Sequence, residues 1–136
     1  MNTRDYLRQT FALDRMINNK LRHIASLREL LTGSAATISD MPRNPSPANS
    51  RLESIMAEIV DLEEEVNQDI DRLADIKHII LNASYALEKE SAQRIIECRY
   101  VKLMPWSQIY AETGYSKRQV YRLHDEALIR IKLPAD

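Results

Sequence analysis

Residues 113–128 read TGYSKRQVYRLHDEAL, and the fold turns on how this stretch divides. Gly114 can take the left-handed backbone that ends a helix. Two residues later Ser116 opens another, with Gln119 placed to complete a capping box. Val120, Leu123, Ala127 and Ile131 then recur at helical spacing and predict one inward stripe, with Leu128 at its edge. Lys117, Arg118, Tyr121, Arg122 and Asp125 are left facing outward on the same helix.

Working back from this stretch, Trp106, Ile109 and Tyr110 form an apolar face, and Pro105 suits a first helical turn. Before them Ala92, Ile95, Ile96, Cys98 (or the aliphatic stem of Arg99) and Tyr100 make another apolar set. The spacing predicts three helices, over about 87–101, 105–113 and 117–132.

The N-terminal half has a different period. Tyr6, Leu13, Ile17, Ile24, Leu27 and Leu31 alternate steps of three and four, with Thr10 and Lys20 in the gaps. Leu52, Ile55, Ile59, Leu62, Val66, Leu73, Ile76 and Ile80 do so more cleanly, broken only at Asp69. This is the seven-residue repeat of a coiled-coil seam. Ser50-Arg-Leu-Glu53 has the form of a capping box and predicts the start of the second long helix. Residues 33–50, GSAATISDMPRNPSPANS, hold three prolines and many small polar residues and read as an irregular linker. Its length leaves open whether helix 1 pairs with its own helix 2 or with another subunit's. The repeat loses register after Leu87, so the expected boundary lies near residue 84. The expectation is an all-α chain: a long helix pair over 1–84 that drives oligomerisation, then a three-helix domain over 85–136.

Composition agrees with helices, since 136 residues include only two glycines and one phenylalanine. The net charge of −1 hides a strong segregation. Residues 1–32 hold six Arg/Lys against three Asp/Glu, residues 51–90 four against eleven, and residues 94–132 eight against four. The charge split between the long helices also has a plain reading as two solvated faces. No apolar run reaches the length of a membrane span, and MNTRDYLRQTF lacks an apolar leader. With Cys98 alone, these features are those expected of a cytoplasmic protein without membrane contact.

Catalytic and metal chemistry find little support. His23, His78 and His124 are scattered, the two glycines are 81 residues apart, and Glu63-Glu64-Glu65 points around its helix rather than to one site. No enzyme activity, cofactor or metal is expected. What remains is helix, glycine turn and helix, with long polar side chains on the first turns of the second helix. That is the arrangement of a helix-turn-helix, whose second helix enters the major groove. There Arg and Lys match guanine and Gln matches adenine. Double-stranded DNA is therefore the expected partner. Trp106 reads as core rather than as a stacking platform.

The stretch from Arg94 to Lys132 resembles region 4 of bacterial sigma factors, over 39 of 136 residues. Its marks are Arg99-Tyr100, Trp106, Ile109, Gly114, Ser116, Val120 and Ala127-Leu128. With the paired helices before it, the chain resembles the phage-encoded transcriptional regulators grouped with the ArpU and RinA-like late-gene activators. YSKRQVYRLHDEAL is the most diagnostic part. It departs from the family at Tyr110, where alanine usually sits as the two helices cross. The resemblance implies base contacts from Lys117, Arg118 and Arg122, with Gln119 and Tyr121 as adjacent candidates. Lys102 and Ser107 are candidates for phosphate contact near the start of the middle helix. It also implies regulation of phage late genes in the nucleoid of a bacterial host, and admits host RNA polymerase as a partner. Two other readings stand beside it. One is a small terminase-like subunit for DNA packaging, and the other a polymerase-binding module without sequence-specific DNA contact.

Overall fold

The computed structural model describes residues 1–39 and 45–134, with the side chains of 34–39 and 45–48 outside that description. The fold is all-α: the described residues form five α-helices and no strand. They are α1 Thr3–Ser39, α2 Pro45–Tyr85, α3 Glu90–Ile96, α4 Trp106–Thr113 and α5 Lys117–Arg130, with a π-helical turn Glu97–Val101 directly after α3. No described helix is long and apolar enough to cross a membrane.

The long helices exceed their predicted ends. α1 runs through Gly33 to Ser39 and α2 begins at Pro45, so most of the expected linker 33–50 is helical. Residues 40–44 lie outside the described residues. The Ser50 capping box is not where α2 starts, because Pro45 and Pro47 fit a first turn whose N–H groups have no helical partner anyway.

The chain divides into two compact units, Met1–Asp14 with Arg72–Asp136, and Arg15–Asp71. The predicted boundary near residue 84 is therefore displaced at both ends of the chain. The cause lies in the first turns of α1. Leu7 and Thr10 are fully buried within the first unit, Phe11 meets Tyr100 edge-on at 6.0 Å, and the Arg99 guanidinium stands 4.5 Å over the Phe11 ring. Through Phe11 these turns pack against the C-terminal helices.

In the second unit α1 and α2 pair within the chain. Ile17, Ile24 and Leu27 are buried with Ile55, Ile59 and Val66, while Leu31, Leu52 and Leu62 are half-buried. The ion pairs fix the direction. Lys20 reaches Asp69 at 2.7 Å and Glu65 at 3.1 Å, His23 reaches Glu58 at 3.3 Å, and Arg28 pairs with Glu63. Partners late in α2 thus meet the early part of α1, so the two helices are antiparallel.

Candidate nucleic-acid interface

The first unit builds its core from Ile95, Cys98, Met104, Ile109, Val120 and Leu123, with Trp106, Tyr110 and Tyr115 packed against it. The π turn explains an ambiguity in the sequence. Ile95, Ile96, Cys98 and Tyr100 are all buried, which a regular helix of 3.6 residues per turn does not allow on one narrow face. The wider turn, marked by Lys102 N–H donating to the Glu97 carbonyl at 2.9 Å, brings Cys98 and Tyr100 both inward. The chain then reverses through Leu103, a non-glycine residue at φ 57°.

The turn between α4 and α5 follows the sequence closely. Gly114 sits at φ 74°, and its N–H donates to the Tyr110 carbonyl at 3.0 Å. Thr113 Oγ1 donates to the Ile109 carbonyl at 2.7 Å and accepts from the Tyr115 N–H at 3.2 Å. Ser116 has extended backbone, and its Oγ accepts from the Gln119 N–H at 3.1 Å. Pro105 precedes α4 as its cap rather than entering its first turn.

α5 then separates two faces. Val120, Leu123, Ala127 and the residue after the helix, Ile131, are buried, with Leu128 half-buried. Lys117, Arg118, Arg122 and Asp125 are exposed, Tyr121 is 38% exposed and Gln119 is half-buried. Lys102 and Ser107 are exposed in the segment that leads into α4 and in its first turn. No hydrogen bond among the described residues joins those two to the α5 group.

The local charges leave Lys117, Arg118 and Arg122 without an ion pair among the described residues. Glu126, four residues after Arg122, is the natural helical partner for it. Its carboxylate instead binds Lys89 Nζ at 2.9 Å, and that bond is the main cause holding the Glu126 carboxyl below its ordinary range.

An aromatic layer that sequence reasoning only partly foresaw supports this face. Tyr121 lies 5.1 Å from the Trp106 ring and 6.3 Å from Tyr110, whose hydroxyl is pushed up to about 12 by desolvation and then by Tyr121. Tyr110, the departure from the sigma-like pattern, thus packs beside the helix crossing. Arg99 caps the layer, its guanidinium 4.3 Å over Trp106 while Nη1 donates to the Met104 carbonyl at 2.9 Å. Beneath lies His124, read from sequence only as one of three scattered histidines. It is buried on α5, stacked with Tyr100 at 5.7 Å, with 2.6 Å between its Nε2 and the Tyr100 hydroxyl. Its place three residues before Ala127 and four after Val120 was the available signal.

Among the described residues no group of three or more His, Cys, Asp or Glu is arranged to hold a metal. Comparisons of the chain with protein-family models, with curated proteins and with solved structures find no match.

Proposed function

We propose that this protein is a sequence-specific double-stranded DNA-binding regulator of phage late-gene transcription that reads the major groove with α5. One observation supports this above the others: three exposed cations without ion-pair partners among the described residues, Lys117, Arg118 and Arg122, occupy the first two turns of a helix whose opposite stripe is buried. A glycine turn and a serine cap deliver that helix to the surface, as a helix-turn-helix requires. The Trp106–Tyr121 packing holds the outward face in one arrangement, which lowers the ordering cost of binding. Gln119 and Tyr121 flank the three cations, and Lys102 and Ser107 take phosphates. Under this reading the chain also self-associates, and host RNA polymerase is a further partner.

Selection of bound duplexes from a random-sequence pool, using the full chain, tests the reading. An enriched motif whose binding is lost in Arg118→Ala and Arg122→Ala supports it. Binding without any preferred sequence sinks it.

A further inference from the structure

We infer that the hairpin Arg15–Asp71 associates with a second copy of itself through the side marked by Leu21, Met56, Val60 and Ile70, with α1 of each copy lying on α2 of the other. This rests on the self-association in the proposed function and names the surface that performs it.

The apolar seam is not free for the purpose. Ile17, Ile24, Leu27, Ile55, Ile59 and Val66 are already buried between α1 and α2 of one chain. Outside the seam Leu21, Met56, Val60 and Ile70 are 47%, 55%, 60% and 46% exposed. Their register puts them together. The residues directly after seam positions Lys20, Leu27, Ile55, Leu62 and Asp69 are Leu21, Arg28, Met56, Glu63 and Ile70. Arg28 and Glu63 pair across the hairpin, so that side of both helices is one surface. Leu21 precedes Arg28 by seven residues while Ile70 follows Glu63 by seven, which sets them one heptad along the same surface. Met56 precedes Glu63 by seven, and Val60 lies between them on the neighbouring row. Among the described residues the charges on these rows are Arg28 and Glu63, which neutralise each other, and Glu53, seven residues before Val60.

Charge selects the occupant. Residues 15–32 of α1 hold four Arg/Lys against one Glu, and residues 51–71 of α2 hold one Arg against eight Asp/Glu. A polyanion or an anionic membrane meets repulsion from α2. A second hairpin has two ways to stack face to face about a two-fold axis. One sets α2 on α2, seven net negative charges against seven. The other, about an axis parallel to the helices, sets each basic α1 on an acidic α2 and makes every neighbouring pair antiparallel. The second is favoured by a charge term that falls with salt. Because Lys20 and Asp69 mark one end of the hairpin, this axis also brings residues 15 and 71 of both copies to one end of the bundle.

Sedimentation equilibrium of the full chain without DNA tests the inference. A dimer is expected at micromolar concentration, weakening as salt rises. The double variant V60K/I70K alters only exposed positions and sets cations against the partner's basic α1. It should raise the dimer dissociation constant at least about tenfold with unchanged helical circular dichroism. M16K/L30K, at exposed positions directly before Ile17 and Leu31 on the other side of the seam, should leave it unchanged. A monomer throughout, a dimer indifferent to V60K/I70K, or one lost instead in M16K/L30K overturns the surface. A dimer that tightens with salt overturns the α1-on-α2 arrangement. With no DNA present, these outcomes stand apart from success or failure of the DNA-binding reading.

Discussion

Lys20 and Asp69, the only charged residues in the two apolar seams, meet each other, with Nζ 2.7 Å from Oδ2. Each looks like a flaw when its own helix is read alone. Together they fix the register at which α1 and α2 pair, because a slip of either helix sets a charge against apolar side chains.

The pair is a register device rather than a source of stability, and this is testable. Asp69→Leu and Lys20→Leu should each lower the melting temperature, since the first leaves Lys20 with Glu65 alone and the second leaves Asp69 without its cation. The double variant should melt at or above the wild type, because apolar contact replaces both charges. Asp69 is the main cause of the raised Lys20 pKa, so the lysine stays charged through the ordinary 10.5 and its share of the pair is lost only as pH climbs past the raised value. Thermal unfolding of the four proteins by circular dichroism decides it. A double variant melting below both singles would show that the pair stabilises outright.

Aspartate in the seam should unfold the hairpin. Ile59 and Val66 are buried against the chain's own α1, so Ile59→Asp or Val66→Asp puts an unpaired carboxylate into a closed apolar layer. The expected cost is roughly 3 kcal/mol or more. Far-ultraviolet circular dichroism should show the loss directly. Retained helicity together with a change in subunit number would mean that the seam faces another chain.

These two cases show what the sequence made legible. Heptad spacing identified Ile17, Ile24, Leu27, Ile55, Ile59 and Val66 as an apolar stripe, and all are buried. Spacing says nothing of what covers a stripe, so pairing within the chain became visible only through Lys20, His23 and Arg28 and their partners. The same limit hid the role of α1's first turns, where Leu7, outside the repeat, is fully buried. The α4–α5 turn was legible because Gly114 and Ser116 act through local backbone geometry. The π turn was not, since an inserted residue leaves no mark in composition.

Stability should fall in mild acid because of His124. Burial, first of all, lowers its pKa from the ordinary 6.5, against the nearby Asp125 carboxylate and with help from Arg4 and Arg99. The buried Tyr100 hydroxyl has its own pKa raised, first of all by burial, so it stays protonated and hydrogen-bonds the neutral ring at Nε2. The unfolded chain takes up a proton at this site before the folded one does. Stability is therefore full above pH 6.5 and declines as pH drops through 6.5 toward the lowered folded value. The slope is at most about 1.4 kcal/mol per pH unit. Melting temperatures of wild type and His124→Gln from pH 5 to 8 check the sign. The variant should show a flatter profile below pH 6.5, and an equal decline in both would assign the effect to other groups.

Arg122 and Lys102 should fail differently if α5 lies in the major groove. Arg122 is exposed on the second turn of α5, opposite buried Val120 and Leu123, and Glu126 is ion-paired to Lys89. A guanidinium so placed can grip a guanine edge with two hydrogen bonds. Lys102 is exposed in the segment before α4, where an ammonium meets phosphate as a point charge. Arg122→Ala should cost about 1–3 kcal/mol on the selected duplex and far less on unrelated DNA, flattening the preference at one base position. Lys102→Ala should weaken both duplexes alike and reduce the slope of log affinity against log salt by about one. Titrations of both variants on both duplexes across a salt series separate the two roles. Equal loss on every sequence in Arg122→Ala would move α5 out of the groove and onto the phosphate backbone.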